Sequence, residues 1–174
     1  MARIQVGDAL APSTDIGPVS SQSQLEQDLE YVRIGQSEGA TLAAGGQRMK
    51  RATEGFYMAP ALFSASDKAM RINREEIFGP VASVIRVRDY EEALATANDT
   101  AFGLSAGIAT TSLKHATHFK RHSQAGMVMV NLPAAGVDYH VPFGGRKGRS
   151  YGPCEQGRYA QEFFTTVKTA STLA

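Results

Sequence analysis

The feature that most limits the fold of this chain is the alternation of helical patterns with short apolar runs. Residues 81–87 and 104–110 have the pattern of strands. A helical pattern with an N-terminal cap at Asp89 follows the first, and a helix from Ser112 to about His122 is predicted after the second. Residues 126–131 then form another apolar run, of the kind found in buried strands. This alternation predicts an α/β protein with a mostly parallel sheet and flanking helices. Right-handed crossovers would place these strands in one sheet.

The first half of the chain has weaker signals of the same kind. Ser21 opens a capping-box pattern, and a helix is predicted from there to about Gly39. Residues 41–44 predict a short strand, and residues 55–63 predict a longer one. Pro60 cannot donate a ladder hydrogen bond, so it suggests an edge position or a bulge within the second strand.

Composition and charge exclude several classes of partner. The 174 residues give room for one domain with its own core, and 18 Lys and Arg balance 17 Asp and Glu. This balance does not support a nucleic-acid partner, and no stretch approaches the length that spans a membrane. Cys154 is the only cysteine, which excludes an internal disulfide and fits a reducing compartment. We therefore expect a cytoplasmic protein without a membrane partner.

The end of the chain changes character. Residues 132–152 are rich in glycine and lack periodicity, and long loops of this kind inside a compact domain are usually functional. A short helix is predicted at residues 155–162, and residues 163–174 predict a strand of the type that pairs between subunits. The predicted division is therefore a domain over residues 1–162 and an oligomerisation-type strand over residues 163–174.

Short motifs rich in Gly, Pro, Asn and Asp occur along the whole chain. They are Asp15-Ile16-Gly17-Pro18, Glu75-Glu76-Ile77-Phe78-Gly79-Pro80-Val81, Asn98-Asp99-Thr100 with Gly103-Leu104, Gly126-Met127-Val128-Met129-Val130-Asn131, and Pro142-Phe143-Gly144-Gly145 with Lys147. In order and spacing they resemble motifs of the NAD(P)-dependent aldehyde dehydrogenases. The resemblance implies the C-terminal part of the catalytic domain of that family, without its dinucleotide-binding domain.

The resemblance also implies a cofactor-binding role for two residues. In the family, the second acid of this Glu-Glu-Ile-Phe-Gly-Pro motif accepts hydrogen bonds from the nicotinamide ribose, and the Phe packs beside the nicotinamide ring. These roles fall on Glu76 and Phe78, as expected for an ionised acceptor and an apolar wall. The alternative is a helix end with a solvated acid and a Phe in the core.

Phe143 and His140 are the candidates on the substrate side. The resemblance implies that Phe143 borders the aldehyde tunnel and that the loop before it shapes substrate choice. Residues 132–140 resemble most the branch that acts on ketoglutarate semialdehyde. An acidic substrate would be bound best with a cation nearby. The preferred interpretation of the basic residues in this segment is, however, that they are solvated side chains on a Gly-rich turn. The candidate cations are Arg146, Lys147 and Arg149.

The catalytic groups of the family are not found in this sequence. The resemblance implies that the nucleophilic cysteine, the general base and the dinucleotide-binding domain lie upstream of where this chain begins. No catalytic residue is assigned here, and we expect the chain alone to be inactive and not to bind NAD or NADP by itself. The expected partner is an upstream half or another copy of the chain. The alternative function is a non-catalytic self-associating or binding module.

Cys154 and three histidines are weighed separately. Cys154 follows Gly152-Pro153 at a predicted helix start, where a thiol can be activated. The family usually has arginine there, so a neutral replacement is the preferred interpretation. His115, His118 and His122 share one stripe of a predicted helix, and a solvated face is favoured over a metal site because no acid or cysteine joins them. No metal is expected.

Overall fold

The computed structural model describes residues 3–136, 138–152 and 154–173. The chain divides into two compact units, Met1–Arg86 and Val87–Ala174. The described strands form three small sheets, with the orders β1-β4-β5, β2-β3 and β6-β7. Both units combine helices with strands, which confirms the predicted α/β class.

The first unit contains one long helix and two of the sheets. Its elements are α1 (Gln22–Ser37), β1 (Thr41–Ala44), β2 (Arg48–Met49), β3 (Tyr57–Met58), β4 (Ala61–Ser66), α2 (Arg71–Arg74) and β5 (Val81–Ile85). Strand β4 is central in its sheet, antiparallel to β1 and parallel to β5. The sheet therefore mixes the two orientations.

Helix α1 forms where the capping pattern predicts it. The Ser21 hydroxyl accepts a hydrogen bond from the Gln24 backbone N–H at 3.1 Å. Gly39, with φ of 98°, follows the last turn in the left-handed region. Leu25 and Val32 of this helix are buried in the core of the unit. Together with Phe63 of β4, they fix the helix against the sheet.

The single strand predicted over residues 55–63 is wrong. Pro60 separates β3 from β4, and these two strands belong to different sheets. Pro60 has no N–H to continue a ladder, so pairing stops there and resumes when the Ala61 N–H donates to the Pro80 carbonyl at 2.8 Å. Pro60 is thus a break between strands and not an edge or a bulge within one.

The second unit contains a parallel pair of strands with helices around it. Its elements are α3 (Tyr90–Asn98), β6 (Ser105–Ile108), α4 (Leu113–His122), β7 (Met127–Val130), a 3₁₀ turn (Lys147–Arg149) and α5 (Tyr159–Phe164). The Asp89 carboxylate caps α3 as predicted, and the Ser112 hydroxyl caps α4. The expectation of one common sheet is wrong, because β5 pairs only within the first unit among the described residues.

The C-terminal region differs from the prediction in its boundaries. Helix α5 begins at Tyr159 instead of Glu155, and it includes Phe163 and Phe164, which the sequence placed in a strand. Within the described part of the chain, residues 165–173 belong to no helix or ladder. A strand needs a partner to form a ladder, so pairing of this segment with another chain stays a prediction.

Candidate functional site

The segment between α2 and β5, residues 75–80, carries both residues predicted to face the cofactor. We call it the 75–80 turn. Ile77 is buried in the core, whereas Glu76 and Phe78 on either side of it are exposed. Phe78 exposes 73% of its surface, so the alternative with a core Phe is wrong. The turn therefore presents a carboxylate and an aromatic ring to the surface around one buried anchor.

The backbone of this turn is held in an uncommon conformation. Phe78 has φ of 62°, in the left-handed region that bulky residues rarely adopt. The preceding carbonyl, that of Ile77, accepts hydrogen bonds from the side-chain amides of Gln24 and Gln27, each at 3.0 Å. Strained residues persist only where the surroundings hold them, and they concentrate at functional sites. Helix α1 supplies that support here.

The first acid of the turn has a structural role. Arg71 donates to both oxygens of Glu75 at 2.9 Å, and the Tyr31 hydroxyl donates to the same carboxylate at 2.6 Å. The Arg71 hydrogen bonds, followed by that of Tyr31, lower the pKa of Glu75 to about 2. Glu75 therefore anchors the turn to α1 and α2, whereas Glu76 beside it is the residue predicted to bind the cofactor. Sequence reasoning missed this anchor, although the spacing of Arg71 and Glu75 on a helical turn was a usable signal.

We expect the free energy of unfolding of Glu75→Gln to fall less steeply at acid pH than that of the wild type. A carboxylate whose folded pKa is depressed stabilises the fold above its usual pKa, which is 4.5 here, and that contribution is lost as the pH falls toward 2. Denaturant unfolding between pH 6 and about pH 2 measures the slope. The exposed Glu54→Gln serves as the control and should keep the wild-type slope. An unchanged slope in Glu75→Gln would contradict the anchoring role.

The second candidate region lies in the second unit, around residues 142–145. Phe143 is half-buried and exchanges backbone hydrogen bonds of 2.7 Å with Glu155 in both directions. A cavity of about 290 Å³ opens beside it. Its lining residues are Leu104, Phe143, Gly144, Arg149, Ser150, Tyr151 and Glu155. Phe143 therefore forms part of a cavity wall, and its role toward an aldehyde stays a prediction.

His140 lies on the exposed loop before this segment. Its Nδ1 atom lies 2.7 Å from the Asp138 carboxylate, which also accepts the His140 backbone N–H at 3.0 Å. These two hydrogen bonds lower the pKa of Asp138, with the backbone contact contributing most. Both side chains are largely exposed, so the pair adds little stability. Val137 of the same loop lies outside the described residues, and a ligand contact by His140 stays a prediction.

Lys147 is exposed, but its ammonium group is held by backbone acceptors and is not only solvated. Its Nζ atom donates to the Asn98 carbonyl at 2.6 Å and to the Thr100 carbonyl at 3.0 Å, at the end of α3. A cation at this position interacts favourably with the negative end of the helix dipole. Lys147 therefore ties the segment after Phe143 to α3.

The asparagines of the sequence motifs also have structural roles. Asn98 accepts from the Gln124 N–H at 2.9 Å and donates to the His122 carbonyl at 3.0 Å, so it joins the ends of α3 and α4. Asn131 makes the equivalent pair of contacts with the backbone of Thr110, at 2.8 and 2.9 Å. The Asn131 side chain thus continues the pairing of β6 and β7 where the backbone ladder ends.

Cys154 does not lie at a helix start. It is half-buried, and helix α5 begins only at Tyr159, so the predicted setting for an activated thiol is wrong. Its sulfur instead packs against the backbone of Gly144, where a Cβ would lie 3.0 Å from Sγ. Pro153 lies outside the described residues. Cys154 thus lies beside the segment that carries Phe143, and it is not at the N-terminus of a helix.

The histidines of α4 pack against α3. The His115 ring stacks on Tyr90 with a centroid distance of 4.3 Å, and the Tyr90 hydroxyl lies 2.9 Å from His118 Nδ1. His118 in turn stacks on His122 at 3.8 Å. The predicted solvated face is therefore in part a helix–helix contact. No group of three or more potential metal ligands occurs in the described residues.

None of the helices in the described ranges has the length and apolar character needed to cross a bilayer.

Comparison with known proteins supports the class suggested by the fold and the motifs. The model of the aldehyde dehydrogenase family matches residues 1–170. An alpha-ketoglutaric semialdehyde dehydrogenase of Bacillus subtilis is 42% identical over 95% of this chain, and one of Haloferax volcanii is 44% identical over 92%. In both cases the match covers 34% of the relative.

Solved structures agree with the sequence matches. HpcC from Thermus thermophilus superposes with a TM-score of 0.85 at 40% identity, over 96% of this chain and 33% of that one. Betaine aldehyde dehydrogenase from Staphylococcus aureus, solved in complex with NAD⁺, gives a TM-score of 0.86 at 29% identity, over 94% of this chain and 32% of that one. The chain has an α/β fold that matches aldehyde dehydrogenase structures, and it belongs to the aldehyde dehydrogenase family. It spans about a third of the length of the relatives that it matches.

Proposed function

We propose that this chain is the C-terminal part of an NAD(P)-dependent aldehyde dehydrogenase and supplies the nicotinamide side of its active site. The observation that supports this proposal is the 75–80 turn, which exposes Glu76 and Phe78 together around the buried Ile77. A positive φ at an exposed Phe has no benefit for packing and fits a position selected for function.

The two side chains fit the group that they would hold. A carboxylate such as that of Glu76 can accept hydrogen bonds from a pair of ribose hydroxyls. The apolar face of Phe78 restricts where a flat ring can lie. A bound nicotinamide would supply the hydride acceptor for the oxidation of the aldehyde. Glu76 and Phe78 would orient it, and neither takes part in bond making.

The complete reaction would need groups from the part of the relatives that this chain does not match. Mixing this chain with that part of the Bacillus subtilis relative is expected to restore aldehyde-dependent reduction of NAD⁺ or NADP⁺. Formation of the reduced nicotinamide, followed by its absorbance, measures this restoration. Absence of activity in a mixture that forms a stable complex would contradict the proposal.

We expect no turnover from the purified chain alone. The assay uses NAD⁺ and NADP⁺ with a panel of aldehydes and semialdehydes, and Cys154→Ser is run in parallel. Turnover that disappears in Cys154→Ser would mean that Cys154 acts as the nucleophile, and the proposed incompleteness would be wrong.

The substrate class proposed is a semialdehyde that carries a carboxylate. The relatives named for ketoglutarate semialdehyde and the resemblance of the loop over residues 132–140 support it. In the restored enzyme, kcat/KM for such a semialdehyde is expected to exceed that for a neutral aldehyde of equal length. The opposite order would contradict this assignment.

A non-catalytic self-associating module is the second candidate. The C-terminal segment exposes apolar side chains: Phe164 by 80%, Val167 by 98% and Leu173 by 99%. Groups of exposed apolar side chains commonly mark a surface that binds another molecule. Sedimentation over a wide range of concentrations tests this alternative. A monomer at every concentration would contradict self-association.

We also propose a reducing, cytoplasmic setting, because the lone Cys154 is a free thiol. Cell fractionation with an antibody against the chain tests this setting, and recovery from an oxidising compartment would contradict it.

A further inference from the structure

A buried carboxyl group lies beneath the 75–80 turn. Asp28 on α1 is fully enclosed, although aspartate is almost never fully buried without a charged partner. Its Oδ1 accepts one hydrogen bond, from the side-chain amide of Gln24 at 2.7 Å. Its Oδ2 has no hydrogen-bond partner among the described residues. An enclosed acid with a single donor disfavours the folded state, so its presence needs another explanation.

The carboxyl group touches the turn directly. A Cβ atom built on Gly79 would overlap Asp28 Cγ and both carboxyl oxygens, so only a residue without a side chain fits there. Gly79 follows Phe78, whose backbone has the positive φ. The backbone of the turn therefore rests on the Asp28 side chain immediately after its strained residue.

One amide joins the carboxyl group to the other support of the turn. Gln24 Nε2 donates to Asp28 Oδ1 and also to the Ile77 carbonyl, at 2.7 and 3.0 Å. The carboxyl thus fixes the rotamer of the side chain that holds the carbonyl before Phe78. Contacts on both sides of Phe78, through Ile77 and Gly79, converge on Asp28.

We propose that Asp28 is a positioning residue, which sets the conformation of Phe78 and the placement of Glu76 through Gly79 and Gln24. The inference deepens the proposed function, because it concerns the same turn. Asp28 itself is enclosed and touches no cofactor. Burial raises the pKa of Asp28, and the Gln24 hydrogen bond opposes this in part. The contacts with Gly79 and Gln24 use the shape of the side chain and its acceptor oxygen.

The matched variants separate shape from charge. Asp28→Asn keeps the shape and the acceptor for Gln24, whereas Asp28→Ala removes both. Nuclear magnetic resonance of the labelled chain measures the Phe78 Cα and Cβ shifts and its amide–Hα coupling, which report the sign of φ. We expect the left-handed signature of Phe78 to persist in Asp28→Asn and to be lost in Asp28→Ala.

Gly79→Ala gives an independent test of the contact. The added methyl group should displace the turn in the wild-type background and fill the vacated space in Asp28→Ala, so the double variant should recover part of the Phe78 signature. A signature that stays intact in Asp28→Ala, with only a lower denaturation midpoint, would show that Asp28 is a core residue without a positioning role. A double variant that recovers no more of the signature than Gly79→Ala would also overturn the positioning role.

A kinetic measurement links the turn to the cofactor. In the restored two-part enzyme, Asp28→Ala should raise KM for NAD⁺ several-fold, and Asp28→Asn should keep the wild-type value. A fall in kcat alone, with KM unchanged, is what mere loss of folded protein would give, and it would overturn the positioning role. The resonance experiment needs no cofactor and no second part, so failure of the restored enzyme would count against the proposed function alone.

Discussion

Gly126→Ala is expected to lower the free energy of unfolding of the second unit by about 3 kcal/mol, at the upper end of the usual range for overpacking. A Cβ on Gly126 would overlap the Gly144 carbonyl oxygen and lie 2.8 Å from the Gly145 Cα. Both neighbours are backbone atoms, so no flexible side chain can move aside. The segment that carries Phe143 would have to shift.

Gly107→Ala is the matched control in the same unit. Gly107 lies in β6, and the nearest atom to a Cβ there is 3.8 Å away, which is ordinary contact. This substitution should be neutral or stabilise by about 0.4–1 kcal/mol through the unfolded chain. Denaturant unfolding of both variants measures the difference. Equal midpoints for Gly126→Ala and wild type would show that the backbone of residues 144–145 does not lie against Gly126.

Glu76→Gln is expected to lower kcat/KM of the restored two-part enzyme by about 10- to 100-fold, the value of a charge-assisted hydrogen bond. The neutral amide keeps the shape of Glu76 but is a weaker acceptor for ribose hydroxyls. The loss should fall largely on KM for NAD⁺, because the contact is present before and during hydride transfer.

Two controls accompany this variant. Glu54→Gln removes an exposed glutamate of the same unit outside the turn and should leave kcat/KM unchanged. Phe78→Ala should weaken cofactor binding without removing a charge. Wild-type kinetics in Glu76→Gln would contradict the assignment of Glu76 to the cofactor.

The local elements of the fold could be predicted from the sequence, because their signals are local. Ser21 and Asp89 each place a side-chain oxygen near a helical N–H, and both helices begin at the expected residue. Helix α4 begins within one residue of its predicted start. The short strand over residues 41–44 was also predicted at its observed bounds.

The pairing of strands could not be predicted in the same way. Which strand pairs with β5 depends on long-range packing, and the local pattern of residues 81–87 contains no information about it. The break at Pro60 was visible in the sequence, but its consequence, two strands in different sheets, was not.

The candidate site was predicted only in part. The motif around Glu76 and Phe78 was found through a family resemblance, and the structure adds that both side chains are exposed. The supports were missed, since Asp28 has an ordinary helical position and its contact with Gly79 is distant in sequence. The contacts of Lys147 were missed because its acceptors are the backbone carbonyls of Asn98 and Thr100, which no sequence pattern reveals.

The central claim is that Glu76 and Phe78 meet the nicotinamide end of the cofactor when the rest of the enzyme is supplied. The most direct measurement is the amide spectrum of the labelled chain, recorded with the unlabelled remaining part of the Bacillus subtilis relative, before and after addition of NAD⁺. The prediction is that NAD⁺ shifts the signals of Glu76 and Phe78, while those of Phe163 and Phe164 stay in place. Restored activity with no change at Glu76 and Phe78 would contradict the claim.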